Sequence, residues 1–136
     1  MAADLYPSTS LRETDGMTSA LAMHVDDNGY YWHLYPYFES AKLPCGHELV
    51  DLYGSNAIDG YELDRLRAKM IVAKNDLSWR PESWDVVTGW DGHDIRSQNE
   101  IKKIVDKAKM VELIDRLIAL IDHCKTNELK LCVYGD

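Results

Sequence analysis

Cysteine is scarce in this chain, and the few that occur do not pair. Cys45, Cys124 and Cys132 are three in number and widely spaced, so neither a disulfide framework nor a four-cysteine zinc site is expected. That leads to the expectation of a reducing, cytoplasmic setting. Long apolar runs are missing as well. No stretch approaches the roughly 20 apolar residues of a membrane span, and the segment from Ala2 to Gly16 carries Asp4, Arg12, Glu13 and Asp15 where a secretory signal would be apolar. No membrane partner is expected.

Nucleotide and hydrolase signatures are also absent. Gly54-Ser55-Asn56 lacks the following glycine and lysine of a phosphate-binding loop, and neither G-x-G-x-x-G nor G-x-S-x-G occurs. The commonest enzymes built on alternating strands and helices are thereby set aside, and no cofactor is expected.

The most uneven shortage is of basic residues in the first half. Met1 to Asp64 holds eleven acids against only Arg12 and Lys42, a net of −9 within a chain total of −8, so everything from Arg65 onward nets +1. Such a balance opposes direct binding to a phosphate backbone, where each contact needs a cation to displace counterions. The densest basic patch, Lys102, Lys103, Lys107 and Lys109 interrupted by Asp106, is read as a solvated face.

Aromatic residues crowd into the same acidic half. Tyr30, Tyr31, Trp32, Tyr35, Tyr37 and Phe38 place six of the thirteen aromatics within nine residues. Packing of these rings against a sheet, with hydroxyls reaching the surface, is one reading. The other is an exposed patch flanked by Asp26, Asp27, Glu39, Glu48 and Asp51. A run this dense cannot bury every ring, so the two are compatible.

At 136 residues the chain suits one domain with a real core. Residues 1–16 are polar and unpatterned and read as a loose tail, leaving 17–136 as a single globular domain. Ser19 to Val25 suits a strand, closed by the turn signal Asp26-Asp27-Asn28-Gly29. Tyr30 to Tyr35 could return as a hairpin strand. The spacing of Tyr31, Leu34, Tyr35 and Phe38 favours instead a helix to Leu43, with Pro36 near its first turn or kinking it. Glu48 to Tyr53 reads as a short strand. Asp59 with Glu62 forms a capping-box pattern before a helix whose buried stripe is Leu63, Leu66, Met70, Ala73 and Leu77, while Arg65, Arg67, Lys69 and Lys74 mostly face water. Trp84 to Trp90 alternates as a strand; Glu100 to Val105 could be a second hairpin strand or the first turns of the last helix, and the break at Asp106 to Lys109 favours the strand; Met110 to Cys124 carries a continuous apolar helical face. Leu129 to Tyr134 closes as a strand. The expected fold is an α/β two-layer sandwich: a mixed sheet of four to five strands with two to three helices packed on it.

Two loops could carry chemistry. Asp91, His93 and Asp94 surround a glycine turn, an arrangement that can orient a general base or join a metal site, with His33 or His47 as further ligands. The spacing is not a zinc signature, so no metal is expected. Cys45 and His47 could form a thiolate pair, but no third orienting group accompanies them. Cys124 and Cys132 fall on an apolar helix face and a strand and read as packing residues.

The segments Gly29-Tyr30-Tyr31-Trp32, Val50-Asp51-Leu52-Tyr53-Gly54, Ser83-Trp84-Asp85-Val86 and Val133-Tyr134-Gly135-Asp136 resemble those of small bacterial proteins. In size, acidity and lack of catalytic motifs the chain is similar to immunity proteins that neutralise toxins of competing bacteria. The likeness is one of type and assigns no residue. The leading expectation is a non-enzymatic inhibitor of a basic protein partner such as a toxin domain. Asp26, Asp27, Tyr30, Tyr31, Trp32, Glu39, Asp51, Asp59 and Asp64 are its candidate contact residues, the acids steering encounter and the rings anchoring it. The alternatives are a small enzyme using Asp91, His93 and Asp94, and a homo-oligomeric scaffold, a homodimer at simplest, with the aromatic run as self-interface.

Overall fold

The computed structural model describes residues 1–13, 15–92 and 99–135. The expected α/β sandwich is present. Its strands divide into two sheets, and every pairing is antiparallel. The larger sheet runs in the order β2-β1-β6-β3, from β1 (Ala2–Ser8), β2 (Met23–Asp26), β3 (Ser55–Ile58) and β6 (Lys130–Gly135). A separate hairpin joins β4 (Ser83–Asp91) to β5 (Asn99–Asp106). The helices are α1 (Gly29–Ala41), α2 (Gly60–Asp76) and α3 (Lys107–Thr126).

The first correction concerns the segment read as a loose tail. Its residues 2–8 form β1, which pairs with both β2 and β6 and so lies inside the sheet. Ala3 and Leu5 enter the core, in register with Gly135 and Val133 of β6. Pro7 is tolerated for a geometric reason. Asp27 N–H bonds Met1 C=O at 3.0 Å, which sets the phase of the ladder and points the amide position of residue 7 toward the side where β2 has already ended. A short 3-10 turn, Asp15–Thr18, lies over this strand, and Gly16 approaches it so closely that an added Cβ would stand 1.7 Å from the Pro7 carbonyl oxygen. Tyr6, on the face of β1 opposite to Leu5, is fully buried.

Helix α1 is the better of the two alternatives for the aromatic run, and its start shows why. Asn28 caps it, Oδ1 accepting from Tyr30 N at 3.0 Å and Tyr31 N at 3.2 Å. Tyr31, Leu34, Phe38 and Ala41 then form the buried stripe, while Pro36 lies inside the helix on its exposed side. The expected strand from Glu48 to Tyr53 is absent. Leu49, Val50 and Leu52 are all buried, and they do so in turns, with Asp51 Oδ1 accepting from Tyr53 N at 2.9 Å. Consecutive burial suits a loop wedged against the core better than the alternation of a strand, and the edge strand comes later, at Ser55–Ile58.

Helix α2 buries its expected stripe, but Asp59 makes no side-chain cap bond, so the capping box is not formed. Arg65 does not simply face water: its Nε donates to Ala41 O at 2.6 Å and an NH2 to Lys42 O at 3.0 Å, capping the last carbonyls of α1. Arg67 reaches Asp122 and Lys74 reaches Asp115, both across to α3 at 2.6 and 2.7 Å. Asp106 begins α3 by accepting from Ala108 N at 2.8 Å and Lys109 N at 3.3 Å.

Candidate protein-binding face

The chain leaves the edge strand β2 at Asp26, turns through Asp27, and enters α1 at Asn28. That places Asp27 just outside the helix N-terminus, where the macrodipole favours an anion. Trp32 folds back over this turn and donates its indole N–H to Asp27 Oδ1 at 2.6 Å. Tyr35, one helical turn on, packs on Trp32 with ring centroids 5.4 Å apart, and Tyr31 meets Trp32 edge-on at 5.1 Å. Trp32 and Tyr35 are half-buried, whereas Tyr31 is buried beneath them.

The loop after α1 is pinned to this aromatic surface from below and from its rim. Tyr31 donates its hydroxyl to Val50 O at 2.9 Å, and Tyr35 donates to Glu48 Oε1 at 2.8 Å. Burial, followed by the fields of Glu48, Asp51, Tyr35 and Asp27, pushes the Tyr31 hydroxyl far up. The bond to Glu48, with burial next, pushes Tyr35 up to about 12. Both therefore remain hydrogen-bond donors at neutral pH. Exposed Tyr53 follows on the same loop, its backbone N–H bonded to Asp51 Oδ1.

Lys42 is the cation beside this face, pairing with Glu39 and also acting on Glu48. Among the described residues, Asp27, Glu48 and Asp51 form no ion pair; Glu39 is held by Lys42 at 2.9 Å. The basic residues of the second half are largely engaged elsewhere, in the α2 to α3 pairs and at the end of α1. The surface thus combines half-buried rings with Asp27, Glu48 and Asp51, which accept from neutral donors, and Glu39, which pairs with Lys42.

Of the candidate contact residues, Asp27, Tyr31, Trp32, Glu39 and Asp51 are gathered here, Tyr31 as the support under the rings. The others lie apart. Asp26 is on the sheet, bonded to His24 Nε2 at 3.0 Å. The Tyr30 hydroxyl accepts from Asp106 N at 3.0 Å and so turns toward the start of α3. Asp59 stands 3.8 Å from Lys130, and Asp64 pairs with Lys125, beside the far end of α3. Tyr35 and Glu48 belong to the face and were not among the candidates. The spacing of Tyr31, Trp32 and Tyr35 on a helix was the available signal for Tyr35; for Glu48 it was its place among the acids flanking the aromatic run, although its segment reads as a strand.

Asp91 is exposed at the end of β4, while His93 and Asp94 lie outside the described residues. Cys45 and His47 are both exposed, with no hydrogen bond between them among the described residues. His33 is spent on packing, its ring edge-on to Trp84 at 5.1 Å, and burial followed by Arg80 lowers its pKa. Cys124 and Cys132 are buried, and burial raises both thiols, Cys124 to about 11. Among the described residues no group of three or more His, Cys, Asp or Glu side chains could hold a metal, and no helix is long and apolar enough to cross a membrane.

Comparison of the chain with protein-family models, with curated proteins and with solved structures found no match.

Proposed function

We propose that this chain is a non-enzymatic binding protein that covers a basic surface of a protein partner, in the manner of an immunity or inhibitor protein acting on a toxin domain in the cytoplasm. One observation carries the reading: Asp27 and Glu48 are bonded by Trp32 and Tyr35, Asp51 lies on the loop that holds Tyr31, and among the described residues none of the three acids forms an ion pair, Lys42 being paired with Glu39. Solvent-reachable carboxylates, Asp27 exposed and Glu48 and Asp51 half-buried, raise the rate of encounter with a basic surface, and half-buried rings supply contact area at low entropic cost. Bonds from Trp32 and Tyr35 hold Asp27 and Glu48 in fixed positions, which reduces the ordering cost on association.

Association kinetics with the partner test this directly. Neutralising Asp27, Glu48 and Asp51 as Asn, Gln and Asn should slow association and flatten its salt dependence. Trp32→Ala should act on dissociation and cost about 2 kcal/mol or more. Unchanged rates and salt dependence in the neutralised variant would contradict the proposal.

A further inference from the structure

The edge strand β2 borders a groove that no described residue fills. It has a volume of about 220 Å³ and is walled by His24 and Tyr30 on one side and by Lys109, Glu112, Leu113 and Arg116 of α3 on the other. The ladder phase identifies which backbone groups are free. Since Asp27 N–H bonds Met1 C=O, residues 23 and 25 exchange their bonds with β1, while the amides and carbonyls of His24 and Asp26 point away from the sheet. Such an edge is a template for another strand.

We infer that a second copy of this chain occupies this edge, β2 pairing antiparallel with β2 about a two-fold axis at Val25. His24 is held within its own chain by Asp4 at 2.7 Å and Asp26 at 3.0 Å, and the register that keeps like residues from facing each other across the two copies at these positions is the one centred on Val25. Centring on Val25 sets His24 of one copy opposite Asp26 of the other, twice, and each of these pairs exchanges both its N–H···O=C bonds. Centring on His24 or on Asp26 sets like against like. The same register puts Asp27 of the entering strand opposite Met23, on the face of the sheet that α3 covers. Arg116 lies at that end of the groove, bordering Met23 and His24, and makes no ion pair among the described residues. The contact is isologous and closes as a dimer.

Sedimentation equilibrium of the full chain over a wide concentration range tests this, with thermal unfolding as the folding control. The wild type should show a reversible monomer–dimer equilibrium. Asp26→Pro removes an outward amide without breaking a bond to β1 and should abolish the dimer. Arg116→Asp and Asp27→Arg should each weaken dimerisation several-fold, and the double variant should restore it. Should Asp26→Pro fail to fold, hydrogen exchange of the wild type decides instead: the His24 and Asp26 amides should gain protection as concentration rises. A chain monomeric at every concentration overturns the inference, even if the edge takes up an unrelated peptide, as does a dimer indifferent to the charge reversals.

Discussion

Trp32 reaches back across the first turn of α1 to give its indole N–H to Asp27, 2.6 Å away. The bond ties the largest ring of the aromatic run to the acid at the helix entrance, and among the described residues Asp27 has no ion-pair partner. Asp27→Asn keeps an acceptor in place and removes only the charge. Because Asp27 is exposed, stability should change by no more than about 0.5 kcal/mol, whereas partner association should slow. Urea unfolding beside stopped-flow binding separates the two effects.

Two tyrosine hydroxyls should respond in opposite ways to removal. Tyr31 donates to Val50 O inside the core, so Tyr31→Phe leaves a buried carbonyl without that partner and should cost about 1–2 kcal/mol. The Tyr6 hydroxyl is buried with no hydrogen-bond partner among the described residues. Tyr6→Phe should therefore be neutral or stabilising by up to about 1 kcal/mol. Chemical denaturation of both variants checks the contrast, and equal destabilisation would contradict it.

Glycine at residue 16 is required by the close approach over β1. An added Cβ would stand 1.7 Å from Pro7 O, so Gly16→Ala must lift the 3-10 turn and should cost about 1–3 kcal/mol. Gly89 in the hairpin is the control, since a Cβ there meets Ile101 at an ordinary 3.7 Å. Its alanine variant should unfold within a few degrees of the wild type.

Opposed histidines should shape the dependence of stability on pH. His24 bonds Asp4 at 2.7 Å, and this bond chiefly raises its pKa above 6.5. Its contribution is present in full below 6.5 and is lost as pH rises through the raised value. His33 is lowered by burial, so below 6.5 the unfolded chain takes a proton that the folded chain refuses, and stability falls. His24→Asn should flatten the profile on its neutral side and His33→Asn on its acid side, read from urea midpoints between about pH 5 and pH 8.

The helices were legible from the sequence because their periodicity is long. Met70 and Ala73 of α2 and Ile114 and Leu117 of α3 repeat over several turns, so one ambiguous residue changes little. The strand β1 was not legible. Its outward Tyr6 is covered by the 3-10 turn, which erases the alternation, and one of its two sheet neighbours, β6, comes from the far end of the chain. The loop at Leu49 to Leu52 misled in the opposite sense, since its apolar residues bury without a strand partner. For the candidate face, Asp27, Trp32 and Asp51 could be proposed from composition, but Glu48 acquires its role only through the hydroxyl of Tyr35. Asp59 and Asp64 were drawn in by net charge alone, and Lys130 and Lys125 lie close enough to neutralise them.

The central claim is that a basic partner docks on the surface of Trp32, Tyr35, Asp27, Glu48 and Asp51. Its most direct test places a photo-crosslinking amino acid at Tyr53, on the rim of that face, and at Lys125, beside the far end of α3, in the cell of origin. The account predicts that a strongly basic protein is captured from Tyr53 and not from Lys125, and that capture is lost when Asp27, Glu48 and Asp51 are neutralised. Capture of the same protein from both positions, or capture unaffected by the neutralisation, would contradict it.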